Sequence, residues 1–136
     1  MMRIRAFIAG MAALFVSTGL LADDYDGTQP LVCFTKHAFS CVSGGDCLES
    51  TEEEVNMPEF FKVNFAAKTV TAKRLDGSRN TTSIDKVEEN EGELILHGTE
   101  NGLGWSAAIT QDSGKLALSA VGDRVAFVVF GVCSPV

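Results

Sequence analysis

The sequence predicts an all-β protein, an antiparallel meander of about eight strands stapled by disulfides. Three observations support this fold class. Beyond residue 30, short apolar runs with period-two alternation follow one another, turn residues separate them about every 8–12 residues, and helical periodicity is nearly absent. The sequence leaves open whether the strands form a small closed barrel or a two-sheet sandwich.

The elements follow in order from these runs and the turns between them. Asp-Gly at 76–77 and Asn-Gly at 101–102 are hairpin signals, and the acids after Thr51 predict one helical turn. The predicted strands span residues 31–35, 38–42, 61–65, 69–74, 81–89, 94–96, 105–109, 116–120 and 125–133. The expected core consists of large apolar residues, namely Phe61, Phe65, Leu94, Leu96, Trp105, Ile109, Leu116, Leu118, Phe127 and Val129.

The N-terminal segment, residues 1–22, has the layout of a secretory signal peptide. Arg3 and Arg5 precede an apolar stretch at 6–16, and a short tail ends in the small residue Ala22. An uncleaved membrane anchor is the alternative, but the apolar stretch reaches about 17 residues only on a generous count, the low end for a spanning helix. We therefore expect cleavage after Ala22 and a bacterial protein that is periplasmic or secreted.

Cleavage changes the net charge of the mature protein. Residues 23–136 carry nine Lys and Arg against 18 Asp and Glu, a net charge of −9. Such a chain is not expected to bind nucleic acid, because that binding depends on neutralising phosphates. It contains no further stretch long enough to span a membrane, and its acidity favours basic partners. We interpret residues 23–30 as a flexible acidic lead-in and residues 31–136 as a single β domain.

An even number of cysteines in a small exported domain predicts two disulfides. We predict Cys41–Cys47, because the five residues between them can turn back, and Cys33–Cys133, because the first and last strands of a nearly closed sheet are neighbours. The second bond would close a loop of about 100 residues and stabilise the fold by about 4–5 kcal/mol. A zinc site that includes His37 is the alternative, but the spacing matches no common zinc pattern. No metal or cofactor is expected.

The last predicted strand is apolar at both parities, which is unusual for a strand with one wet face. Ala126, Val128 and Phe130 therefore need a cover. One hypothesis is that the segment 31–58 covers them within the chain. The other is that they form a partner surface or a homodimer contact through the last strand.

Two further features bear on function. Gly102 and Gly104 lie beside Trp105 near a hairpin end, where glycine lets a ligand or another backbone approach closely, although a single Trp is also a common core residue. His37 and His97 have no catalytic partner at a recognisable spacing, and no nucleophile, metal-protease or phosphate-loop motif is present. The sequence therefore assigns no catalytic residue and does not predict an enzyme.

The stretches 26–33, 61–69, 101–106 and 130–133 resemble those of small uncharacterised exported bacterial proteins, with an Asp-Gly-Thr-x-Pro-Leu-x-Cys start and a Phe-Gly-x-Cys end. More loosely, the closing Trp, Gly and Cys are similar to those of periplasmic lysozyme inhibitors, which are small disulfide-bonded β-barrels. The resemblance implies an exported protein. It carries over no functional residue, because the inhibitory loop motif has no match here.

Three functions stand as hypotheses. The first is an exported non-catalytic binding protein, an inhibitor or accessory module for a protein or envelope component. The second is a lipocalin-like carrier of a small apolar ligand, which would need a pocket of about 300 Å³ or more. The third is an enzyme, which would require His97 or His37 to meet a carboxylate or a serine.

Overall fold

A computed structural model describes residues 24–51, 53–74 and 76–136. The predicted signal peptide, residues 1–22, lies outside the described residues. The described chain forms ten strands and contains no helix: β1 (Leu31–Val42), β2 (Cys47–Ser50), β3 (Phe60–Asn64), β4 (Thr69–Lys73), β5 (Arg79–Ser83), β6 (Lys86–Asn90), β7 (Glu93–Glu100), β8 (Leu103–Thr110), β9 (Lys115–Gly122) and β10 (Val125–Pro135). The all-β prediction is confirmed.

The strands form one antiparallel sheet in the order β5-β4-β3-β1-β10-β9-β8-β7-β6, and β2 pairs with β1 beside this path. The sheet curls into a half-barrel. Its centre is the pair of the first and last long strands, β1 and β10, whose register runs from Leu31 opposite Pro135 to Val42 opposite Val125. The first and last strands are therefore neighbours, as expected. The sequence left open a closed barrel or a two-sheet sandwich, and the observed single curled sheet is neither: it excludes the sandwich but stops short of a closed barrel.

Strand β1 is one continuous strand where the sequence suggested two. A β-bulge between Thr35 and His37 joins the predicted runs 31–35 and 38–42, and an extra residue in one strand bends it without ending the ladder. Gly131 lies opposite this bulge, and a Cβ there would clash with the carbonyl of Phe34. The bulge therefore depends on glycine in the facing strand.

The stretch predicted as one strand at 81–89 contains two. Its first part forms β5 at one edge of the sheet, and its second part forms β6 at the other edge. The chain crosses between them at two consecutive residues: Ile84 N–H donates to Lys68 O beside β4 (2.8 Å), and Asp85 N–H donates to His97 O in β7 (2.8 Å). Ile84 is 3% exposed at this crossing. The two ends of the sheet are thus consecutive segments of the chain.

Strands β5 and β7 face each other across the remaining opening, which we call the seam. Two side-chain hydrogen bonds span it: Thr82 Oγ1 donates to Thr99 O (3.4 Å), and Asn80 Nδ2 donates to Glu100 Oε1. No backbone ladder joins β5 to β7 within the described residues. The wall is therefore held less firmly at the seam than elsewhere.

One end of the half-barrel, which we call the filled end, contains the most deeply buried residues. The predicted lead-in contributes to it, because the Tyr25 hydroxyl donates to Cys133 O (3.0 Å) and Gln111 Nε2 donates to Tyr25 O (3.3 Å). This segment is thus attached to the domain. The residues that close the filled end with at most 3% exposure are Leu31, Cys33, Ile84, Leu94 and Cys133.

Two disulfides join Cys33 to Cys133 and Cys41 to Cys47, the same pairs that the sequence favours. The first ties β1 to β10 at the filled end, where the two residues are directly opposite in the ladder. The second closes the turn between β1 and β2. Two disulfides fit an exported protein, because they persist in oxidising compartments.

The helical turn predicted after Thr51 exists only as a capped turn. Glu54 N–H donates to Thr51 Oγ1 (3.3 Å), and Thr51 N–H donates to Glu54 Oε2 (2.8 Å), the reciprocal arrangement of a helix start. Asn56 then takes a positive φ of 52°, which ends the turn before Pro58. This segment leads into β3 beside the open end of the half-barrel.

Candidate functional site

The half-barrel encloses a cavity of 180 Å³ at the end opposite the filled end. We call this the open end. Inward-facing residues of β8, β9 and β10 form its main wall, while residues 55–58 and the β7–β8 turn lie at its mouth. The cavity is larger than the about 150 Å³ cavity that binds benzene in an engineered protein core. It falls short of the about 300 Å³ that a lipocalin-like carrier is expected to need, so the cavity can hold only a smaller ligand.

The cavity explains the predicted core residues that are not fully buried. Phe61, Phe65, Leu94, Leu96, Ile109, Leu116 and Val129 are at most 8% exposed, as predicted. Trp105, Leu118 and Phe127 are only partly buried, and they line the cavity together with the buried Phe61, Leu96, Ile109 and Leu116. They face inward as predicted, but the space before them is unfilled. Because packed interiors rarely contain voids larger than a water molecule, such a space is a candidate ligand site.

Trp105 is the most informative residue of the wall. It lies opposite Gly98 in the β7–β8 register, and a Cβ at Gly98 would stand 2.5 Å from Cε2 and 2.7 Å from Nε1 of the indole. The ring therefore packs against glycine backbone, which fixes its position. The Trp105 Nε1 is buried and has no hydrogen-bond partner among the described residues. A buried donor without a partner costs free energy. Because this atom is fully buried, a ligand in the cavity can contact the indole ring but not Nε1.

The mouth of the cavity carries one cation and one anion. Arg74 and Glu100 both line it, together with Asn80 and Asn101. Opposite charges at the mouth give it no net charge, which favours a neutral ligand over an ion. The site therefore combines a mainly apolar interior with a polar rim, the usual composition of a small-molecule pocket.

The predicted partner-binding residues at the β7–β8 hairpin have different roles in the structure. Trp105 lines the cavity, whereas Gly102 lies in the turn with a φ of +80° and a Cβ at Gly104 would meet no atom within 4 Å. Asn101, whose φ is also positive at 49°, completes the turn at the mouth. The glycines shape the turn, and the indole contributes to the site.

The outer residues of the last strand remain partly accessible. Strand β10 lies between β1 and β9, so its backbone is already paired on both sides. Phe39 of β1 packs edge-on against Phe130 at 6.3 Å between ring centroids, and Phe130 is still 46% exposed. Ala126 and Val128 are partly buried by neighbours in the same sheet. The segment 31–58 thus lies beside these residues and covers them incompletely.

The structure brings His97 together with both partners that sequence spacing could not identify. His97 Nε2 is 2.9 Å from Glu88 Oε2, and His97 Nδ1 is 2.8 Å from Ser106 Oγ. Lys86 pairs with the second oxygen of Glu88 at 2.5 Å. Hydrogen bonds from Lys86, and then from His97, lower the pKa of Glu88 below its ordinary value of 4.5. The ionised Glu88 therefore favours the tautomer in which His97 donates from Nε2 and accepts from Ser106.

This Glu88–His97–Ser106 cluster has the order of a hydrolase triad, but its surroundings differ from those of an active site. Its three residues belong to β6, β7 and β8, whose backbones are paired with one another. Paired strand N–H groups cannot stabilise an oxyanion. The cluster lies on the outer face, and none of its residues lines the cavity. It acts as a cross-strand polar ladder that fastens the edge strand β6.

The second histidine is separate from the first. His37 Nδ1 lies 3.1 Å from Glu49 Oε1, and both side chains are more than 60% exposed. Within the described ranges, no group of three or more His, Cys, Asp or Glu side chains is arranged to hold a metal ion. The cysteines that a zinc site would use form disulfides instead.

Sequence reasoning missed the polar side of the cavity, because the residues that form it are recognisable only from the register of their strands. Ala72, Asn80 and Thr82 occupy inward positions of β4 and β5 and line the cavity. Small and polar residues at positions of core parity indicate a wall that faces open space rather than packed side chains. The inward parity of β5 becomes visible only once its register with β4 is known.

The described residues include no helix long and apolar enough to cross a membrane. No protein-family model, curated protein or solved structure matches this chain significantly. The functional conclusion therefore rests on the geometry of the cavity and its rim.

Proposed function

We propose that this protein is an exported, non-catalytic binding protein that carries a small, neutral, mainly apolar ligand inside its half-barrel. The observation that supports this proposal is the 180 Å³ cavity, whose wall is mainly apolar and includes Trp105. The cavity limits the ligand to the size of a benzene derivative or a short alcohol. The signal-like N-terminus and the two disulfides favour the periplasm or the medium.

The cavity favours a carrier over an inhibitor, because an inhibitor needs no internal space. A protein that acts only through its loops is expected to fill its interior, since each void costs stability. Here Ala107 and Ala120 face the cavity from β8 and β9, where larger apolar residues could fill the space. The resemblance to lysozyme inhibitors remains compatible with the exported location but assigns no residue to the cavity.

Trp105 supplies the test, because the chain contains a single Trp. We expect 1-hexanol and benzyl alcohol to change the emission of Trp105 saturably and to raise the Tm of the mature protein. A ligand at 100 times its Kd stabilises the native state by about 2.7 kcal/mol. The absence of both effects would contradict the proposal.

A matched pair of variants tests the location of binding. Ala120→Leu fills the cavity beside Trp105, whereas Ala126→Leu adds the same volume on the outer face of β10. We expect Ala120→Leu to weaken hexanol binding at least tenfold and Ala126→Leu to leave it unchanged. Equal affinity of both variants would place the ligand elsewhere. Circular dichroism and urea unfolding confirm that each variant folds.

A further inference from the structure

The cations of this acidic protein are concentrated in one segment. Residues 60–84 contain five Lys and Arg and a single acid, Asp76. The described residues outside this segment carry only four cations, and acids greatly outnumber them. Nothing in the proposed carrier function requires this segregation of charge.

Three of the five cations meet on the outer face of β3, β4 and β5. Lys73 is directly opposite Arg79 in the β4–β5 register, and Lys62 is opposite Thr71 in the β3–β4 register. The three side chains and Phe60 are exposed, and together with Thr71 they line a groove of 150 Å³. We call this surface, made of Phe60, Lys62, Thr71, Lys73 and Arg79, the basic face.

The basic face contains an unbalanced like-charge pair. Directly opposed charges of the same sign destabilise a sheet, and neither Lys73 nor Arg79 forms a salt bridge among the described residues. The nearest acids in the sequence are outside the face: Glu59 precedes β3, and Asp76 in the β4–β5 turn accepts a hydrogen bond from Ser78 N–H (2.8 Å). The remaining outward positions of these strands are Asn, Thr and Ser. Within the described ranges, this pair thus has no counter-charge.

Exposed aromatic rings border the cations. Phe34 of β1 lies beside Phe60, with 6.2 Å between ring centroids, and the two residues are 45% and 37% exposed. Exposed apolar rings next to unpaired cations suit a partner that presents anionic groups above an apolar layer. An acidic polypeptide would satisfy the cations but would leave the rings without an apolar partner.

We propose that the basic face and the Phe34–Phe60 pair dock on a membrane surface rich in anionic phospholipids. Lipid phosphates bind Lys62, Lys73 and Arg79, and the two rings enter the interfacial region. The acidity of the remaining molecule does not prevent this, because salt screens charges beyond about 10 Å. Docking rests on the outer surface and is independent of the ligand cavity.

The test is flotation of the mature protein with vesicles at low and physiological salt. We expect binding to vesicles of phosphatidylglycerol and phosphatidylcholine, and little binding to phosphatidylcholine alone. Each cation near an anionic surface changes the affinity about fivefold, so Lys73→Gln/Arg79→Gln is expected to weaken binding about 25-fold. The matched control Lys115→Gln/Arg124→Gln removes two cations outside the basic face and is expected to change it much less.

A second arm tests the rings. Phe34→Ser/Phe60→Ser is expected to weaken vesicle binding while the emission spectrum of Trp105 stays that of the unmodified protein, which shows that the interior is intact. Three results would overturn the proposal: equal binding to neutral vesicles, equal losses in the two cation variants, or capture of polyglutamate without vesicle binding. The last result would assign the face to an acidic protein instead.

Discussion

The two ends of the half-barrel are built from the same strands, yet one is packed and the other holds a cavity. At the filled end, Leu94 of β7 is 2% exposed and lies opposite Ile109 of β8, which is 1% exposed and marks where the cavity begins. At the open end of the same two strands, Trp105 faces only Gly98. The comparison shows that strand pairing and interior packing are specified separately in this fold.

Different parts of the chain produce this difference. The filled end receives residues from outside the central strands: Tyr25 from the N-terminal segment and Ile84 from the crossing between the sheet edges. The open end receives small and polar inward residues instead, among them Ala72, Ala120 and Asn80. Stability is therefore expected to concentrate at the filled end, leaving the open end available for a ligand.

The largest expected effect comes from the two disulfides. Cys33 and Cys133, which are 100 residues apart, close the filled end, whereas Cys41 and Cys47 are six residues apart on an exposed hairpin. We expect Cys33→Ala/Cys133→Ala to lower the free energy of unfolding by about 2–5 kcal/mol. We expect Cys41→Ala/Cys47→Ala to lower it less, because a shorter loop restricts the unfolded chain less. Urea unfolding measures both, and equal losses would contradict the comparison.

The next effect compares one leucine at each end. Leu94→Ala removes a 2% exposed side chain from the filled end and is expected to cost about 2–5 kcal/mol of unfolding free energy. Leu118→Ala enlarges a space that already exists and is expected to cost clearly less. The two variants remove the same atoms, so the difference in their urea midpoints measures how tightly each end is packed. A greater loss for Leu118→Ala would contradict the assignment of the ends.

A smaller effect concerns the packing of the Trp105 indole against Gly98. Gly98→Ala places a Cβ against the indole, which must shift, and overpacking of this kind costs about 1–3 kcal/mol. The emission of Trp105 is expected to move to longer wavelength and hexanol binding to weaken. Gly104→Ala is the matched control, because a Cβ there meets no atom within 4 Å. An unchanged spectrum in Gly98→Ala would show that the glycine does not position the ring.

The smallest effect is a pH dependence at the edge strand β6. Because the pKa of Glu88 is lowered in the folded state, its contribution to stability is present above its ordinary pKa of 4.5 and is lost as the pH falls below that value. We expect Glu88→Gln to reduce the slope of the acid unfolding limb below pH 4.5. Asp112→Asn, in an exposed turn, serves as the control. Identical acid limbs in the wild type and Glu88→Gln would contradict this prediction.

Local patterns predicted much of the fold. Apolar runs and alternation between turn residues located β3, β4 and β7 to β10, and the Asp-Gly and Asn-Gly dipeptides located two hairpin turns. The short strand β2 was missed because Cys47–Ser50 has no clear alternation and is defined by its pairing with β1. The break at Ile84 was missed because it depends on two sheet edges that are distant in the sequence.

The candidate site was less predictable for the same reason. Trp105 was singled out from its neighbouring glycines, but the cavity it faces results from residues that β4, β5 and β9 bring to one end. Likewise, Glu88, His97 and Ser106 meet only through the registers of three strands. Spacing along the chain carries no information about such registers until the pairing of the strands is known.

The bond between Cys33 and Cys133 also changes what a protease can accomplish. Because this bond joins positions near both ends of the domain, the residues between them form a covalent ring. One cut in an exposed turn, such as that at Gly77, opens the ring into a linear chain but releases no fragment. Two cuts, or one cut together with reduction, are needed before any piece departs. In a compartment that contains proteases but no thiol reductant, a singly nicked molecule keeps every strand and the walls of its cavity.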